Sequence, residues 1–149
     1  MKFAALLLVF GMPVASASGL VTPDTVSVRV QVEALPGLTF SRQVPTVVTL
    51  LTPWGTQAAS LNSGALYPQD PQHYWASLNP VRLRVKVPAG TAAGRYPVRV
   101  KTTLYICDQN LHLCTIRPSE TQGQLDLGAG SFGAAPLTLT LKVPKLSGF

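Results

Sequence analysis

Residues 81–87, Val81-Arg82-Leu83-Arg84-Val85-Lys86-Val87, decide how the rest of the chain is read. Apolar and basic side chains alternate without a break, which is the period of a strand with one buried and one wetted face. The same pattern recurs on either side. Val26, Val28, Val30 and Val32 alternate with Ser27, Arg29 and Gln31, and Leu137, Leu139, Leu141 and Val143 alternate with Thr138, Thr140 and Lys142. Arg95 to Cys107 alternates through Val98, Val100, Thr102, Leu104 and Ile106, while Val44 to Leu51 is β-branched and more continuously apolar, as a central strand would be. Gln122 to Leu127 is a weaker strand candidate.

Pro36-Gly37, Pro53-Trp54-Gly55, Pro88-Ala89-Gly90, Gly94 and the stretch from Gly128 to Gly133 supply turns between these runs. Beyond the N-terminal stretch, no segment of helical length repeats apolar residues at i, i+3, i+4 and i+7 with good caps. The expectation is an all-β antiparallel sandwich of six to nine strands, because half-buried sheets must bury their apolar faces on one another. A closed barrel remains the alternative, since periodicity does not report how sheets close. From 53 to 80 the alternation disappears, and the stretch holds Trp54, Tyr67, His73, Tyr74 and Trp75 among four prolines. It reads as a long loop of the kind that often carries function. The other reading is that its aromatics plug one end of the sandwich.

The 149 residues amount to one domain. Only 12% are charged against 46% apolar, which excludes disorder and a charged coiled coil. The net charge of +6 reflects scarce acids more than abundant bases. Arg82, Arg84 and Lys86, with Arg95, Arg99 and Lys101, occupy the polar phase of their strands. Aligned, they would form a positive stripe suited to nucleic acid or an acidic partner. Solvent-face and edge-protecting roles are the better account, no RNA-binding aromatic signature accompanies them, and no nucleic-acid partner is expected. At the N-terminus, Lys2, an apolar run from Ala4 to Met12 and the Ala15-x-Ala17 site read as a cleavable signal peptide over 1–17. Residues 18–149 then form the single exported domain, periplasmic or extracellular, with no membrane span in the mature chain.

Cys107 and Cys114 are the only cysteines, and an even count in an exported chain suggests a disulfide. Asp108-Gln109-Asn110 favours a turn between apolar flanks, so the pair should bridge the mouth of a β-hairpin. Closing an eight-residue ring stabilises by only about 2.5 kcal/mol in the chain-entropy model. A local bridge is therefore a weak staple, and two thiols held side by side suit exchange chemistry equally well. His112 would lower a thiol pKa if protonated and close, whereas Asp108 would raise one. A structural zinc site needs four ligands and His73 is the only other histidine, so neither metal nor cofactor is expected. No hydrolase or phosphate-binding motif occurs.

Ala65-Leu66-Tyr67-Pro68, the strand Val81 to Val87, the turn Pro88-Ala89-Gly90 with Gly94-Arg95-Tyr96, and Leu104-Tyr105-Ile106-Cys107 followed by Cys114 resemble, in that order, the amino-terminal domain of the DsbD family. The resemblance covers residues 65–118. It implies an immunoglobulin-like sandwich in which Cys107 and Cys114 pass reducing equivalents between a thioredoxin-like or membrane-embedded donor and oxidised extracytoplasmic proteins. Tyr105 stands near the family's aromatic position. It also implies a cap over the cysteines, for which Trp54, Tyr67, Tyr74 and Trp75 are the candidates. The alternative from another class is a secreted, non-catalytic binding module whose disulfide only pins the hairpin.

Overall fold

Ten strands account for the regular structure of the computed structural model, which describes residues 24–128 and 137–144. They are β1 (Asp24–Val32), β2 (Leu38–Ser41), β3 (Thr46–Thr52), β4 (Gly55–Leu61), β5 (Gly64–Leu66), β6 (Tyr74–Leu78), β7 (Val81–Val87), β8 (Gly94–Asp108), β9 (Leu113–Leu127) and β10 (Leu137–Leu141). No helix occurs among the described residues, so none there is long and apolar enough to cross a membrane. The leader expected over 1–17 lies outside the described residues, as does most of the turn expected from Gly128 to Gly133.

Two sheets form. One has the order β10-β1-β7; the other has seven strands in the order β4-β3-β8-β2-β6-β5, with β9 paired along β8. The alternation read in the sequence fixes what lies between them. Val28, Val30, Val85, Val87 and Leu141 of the smaller sheet and Phe40, Val48, Leu50, Val100, Leu104 and Ile106 of the larger are almost wholly buried in one core cluster. The all-β expectation holds, and the sheets pack as a sandwich.

Three details depart from expectation. First, β10 runs parallel to β1, with Val30 opposite Leu139, in an otherwise antiparallel arrangement. Alternation specifies which face of a strand is buried, not which way the strand runs. Second, the loop expected over 53–80 holds β4, β5 and β6, which brings the strand number to ten. β4 is rich in small residues, and β5 and β6 are short with a register shift at Ala65/Leu66, so none shows a clean period of two. Third, the two basic triplets do not join. Arg82, Arg84 and Lys86 lie on β7 of the smaller sheet, while Arg95, Arg99 and Lys101 lie on β8 of the larger and face acids on β9. Arg95 stands opposite Asp126, Lys101 opposite Glu120, and Arg99 Nε is 3.2 Å from Glu120 Oε1.

The β5–β6 pairing depends on Gly64. A Cβ placed there would sit 1.9 Å from the backbone oxygen of Ser77, an atom that can retreat only if the strands separate. Gly64→Ala is therefore expected to cost about 1–3 kcal/mol, the usual penalty for forcing extra volume into a packed site. A drop in the urea midpoint checks this, and an unchanged midpoint would contradict the close approach.

Candidate functional site

The β8–β9 hairpin carries the two cysteines in direct register, Cys107 opposite Cys114, with Cα atoms 4.0 Å apart and the sulfurs joined. The residues between them make the turn. Asp108 Oδ1 accepts the backbone N–H groups of Asn110 at 2.9 Å and Leu111 at 3.0 Å, an Asx-type closure. His112 then takes φ = 52°, the left-handed conformation that lets the chain re-enter β9. Asp108 and His112, expected to tune a thiol, thus occupy positions that shape the turn.

Cys107 lies on the outer face of the larger sheet, in phase with Thr103 and Tyr105, yet it is only 7% exposed. The neighbouring strand provides the cover. β8 pairs with β9 along its whole length, so its other edge is shared by β3 at 99–102 and β2 at 106–108. Thr39 of β2 stands opposite Cys107, is itself buried, and donates its hydroxyl to the Cys107 carbonyl at 3.3 Å. Gln109 ties the turn to the same strand, its Nε2 donating to Thr39 Oγ1 at 2.8 Å and its backbone N–H to the Gly37 carbonyl at 2.9 Å. Gly37 allows this at φ = 80°, where a Cβ would also meet Asn110 Nδ2 at 2.6 Å.

Cys114 is in the opposite situation. It is exposed, and β9 has no strand paired on its outer edge among the described residues. The S–S bond thus spans from a covered strand to an uncovered one. A nucleophile displacing one sulfur from the other approaches along the bond axis. Attack on Cys114 comes from beyond the free edge of β9, whereas attack on Cys107 would come from the β2 side, where buried Thr39 stands beside it.

Beside the bond lies an open depression of about 400 Å³, lined by Ser41, Gln43, His73, Tyr74, Tyr105 and Ile116 as well as the two cysteines. Tyr105 also walls a second hollow of about 660 Å³, floored by Val44, Val47 and Pro118. Ile116 is 57% exposed, and Leu111 and Leu113 flank the turn. The rim around the disulfide is therefore more apolar than ordinary surface.

The four aromatics considered as a cap separate. Tyr74 lines the depression, and Tyr67 packs edge-on against it with ring centroids 6.5 Å apart. Trp75 turns toward the core, with the Arg42 guanidinium 4.6 Å from its ring centroid. Trp54 is elsewhere. It packs on Tyr96 at 5.0 Å, near the start of β8, roughly 36 Å along that strand from Cys107. The expectation that Trp54 covers the cysteines is corrected: β3 and β4 form a seven-pair hairpin that carries their turn toward the other end of β8. His73, from the 53–80 stretch, lines the depression while its Nδ1 contacts Asp70 Oδ1 at 2.7 Å. Its placement follows from the Arg42 N–H bond to the His73 carbonyl at 2.8 Å, a contact between distant segments.

Compared with protein-family models and with curated proteins, the chain matches none.

Proposed function

We propose that the chain is an exported thiol–disulfide exchange module, with an immunoglobulin-like topology, that passes reducing equivalents through Cys107 and Cys114 to or from protein partners. The observation that carries this reading is the asymmetry of the pair: one cysteine exposed on an unpaired edge, the other covered by β2. The ordered motifs over 65–118 and the Tyr74-lined depression support it further.

In the reductive direction, a partner thiolate attacks Cys114 Sγ. The Cys107–Cys114 bond breaks, a bond from the partner's sulfur to Cys114 forms, and Cys107 leaves as a thiolate that takes a proton from water. A second thiolate of the partner then attacks the partner's own sulfur in the mixed disulfide and releases Cys114. The partner is oxidised to a disulfide by two electrons, and the module becomes a dithiol. Running in reverse, Cys114 attacks an oxidised protein and Cys107 resolves the intermediate. Thioredoxin-like or membrane-embedded proteins would serve as donors.

Native reduction tests the proposal. Under limiting dithiothreitol, the rate of thiol appearance is expected to stay flat as sub-denaturing urea is added, because attack needs no unfolding. A rate that climbs with urea as steeply as global unfolding does would mean the bond is sealed, and the reading would fail.

A non-catalytic binding module is the second reading. It is favoured by the 660 Å³ hollow with exposed Val44 and Val47, which lies next to the disulfide without containing it.

A further inference from the structure

The outer face of the smaller sheet is independent of the cysteine chemistry and carries an unusual charge distribution. Its outward side chains are Ser27, Arg29 and Gln31 on β1, Arg82, Arg84 and Lys86 on β7, and Thr138 and Thr140 on β10, with exposed Lys142 continuing the phase. Arg29, Arg82, Arg84 and Lys86 are likewise exposed. Register places Arg29 directly opposite Arg82 and sets Arg84 opposite Ser27. Like charges facing each other across a strand pair are unfavourable, and among the described residues neither guanidinium takes part in an ion pair.

Of the six carboxylates, Glu33 continues the outward phase of β1 one residue past its end, level with Lys142, and four others lie off this sheet. Glu33 accepts the Val143 N–H at 2.9 Å, Asp70 contacts His73, Asp108 closes the hairpin turn, Glu120 pairs with Arg99, and Asp126 stands opposite Arg95. Arg95, Arg99 and Lys101 of the larger sheet thus stand opposite or against acids, whereas among the described residues no ion pair involves Arg29, Arg82, Arg84 or Lys86.

We infer that this face is a docking surface for an anionic lipid surface. Charge complementarity calls for a polyanion, and the rest of the face selects among polyanions. It is built on three strands, and its described residues present no aromatic side chain on which a nucleobase could stack. Among the described residues it has no apolar anchor of the kind that centres a protein interface; the large exposed apolar residues Val44, Val47, Leu66, Leu111, Leu113 and Ile116 all lie off this sheet. What remains is a patch of long cationic side chains spread over neighbouring strands, which matches diffuse negative charge such as phospholipid headgroups provide. Each such cation contributes about fivefold to membrane partitioning, and the attraction fades as salt shortens the Debye length.

The test is co-sedimentation of the full chain with phosphatidylcholine vesicles, with and without phosphatidylglycerol as about a third of the lipid, at about 0.01 M and about 1 M salt. Binding is expected only to the anionic vesicles and only at low salt. Arg82→Thr/Arg84→Thr/Lys86→Thr should reduce partitioning about 100-fold. The matched triple Arg95→Thr/Arg99→Thr/Lys101→Thr, which removes the same charge from the other sheet, should change it by less than about fivefold. The single variant Arg82→Thr provides a reading that does not depend on the triple variant folding: it should bind about fivefold more weakly while melting no lower than the parent, because it relieves the pairing with Arg29. Three results would overturn the assignment: no binding of the parent to anionic vesicles, equal losses from the two triples, or tighter binding to polyuridylate or polyglutamate than to vesicles at equal anionic charge.

Discussion

Cys107→Ser is expected to leave a single thiol, Cys114, that forms a mixed disulfide with oxidised glutathione at least about ten times faster than the single thiol of Cys114→Ser does. Exchange rates depend on access as well as on thiolate character, and access is what separates the two positions. Cys114 is exposed on the free edge of β9, whereas Cys107 is 7% exposed beside Thr39. The same asymmetry predicts that Cys107→Ser, not Cys114→Ser, accumulates covalent complexes with protein partners, which mass spectrometry of non-reduced samples would detect. Each variant also loses the bridge, worth about 2.5 kcal/mol, so both must be compared at a temperature where both are folded. Equal reactivity, or faster reaction at Cys107, would contradict the direction of attack.

Phe40→Ala is expected to remove about 3–5 kcal/mol of stability, the range for deleting a fully buried aromatic ring from a core that cannot close around the gap. Phe40 is fully buried, opposite Ile106 on one side and Trp75 on the other. β2 is only four residues long, yet it joins the β5–β6 pair to β8. Against the roughly 5–15 kcal/mol typical of domains, that loss is large. It should also loosen Thr39 beside Cys107, so native reduction of the disulfide should become faster. Urea unfolding measures the first effect and thiol release the second. A loss under about 1 kcal/mol would mean that β2 does not lock the sheet.

The strands legible in the sequence are those with a full apolar stripe facing a full opposing sheet. β1, β7 and β10, with Val26 to Val32, Val81 to Val87 and Leu137 to Leu141, are the clearest. β9 is fifteen residues long but was legible only near its end. Its first half places Thr115, Arg117 and Ser119 opposite Ile106, Leu104 and Thr102, polar residues on the inward phase that blur the period. Continuous apolarity in β3 has a local cause, since its second phase exposes Val47 to the outer hollow. The cysteine pair was legible because a hairpin is a local structure with the turn residues written between its ends. Which cysteine is reachable was not, because Thr39 is nearly seventy residues away from Cys107 in the chain and reaches it only through sheet order. Composition likewise pointed to an aromatic cluster in 53–80 without indicating that Tyr74 would face the disulfide while Trp54 packs near the far end of β8.

The reduction potential of the Cys107–Cys114 couple, obtained by equilibrating the protein against glutathione buffers and quantifying free thiols, bears most directly on whether these sulfurs exchange with partners. A value near or above about −230 mV is the predicted result, whereas one below about −300 mV would place the bond among inert structural disulfides and contradict the proposed function.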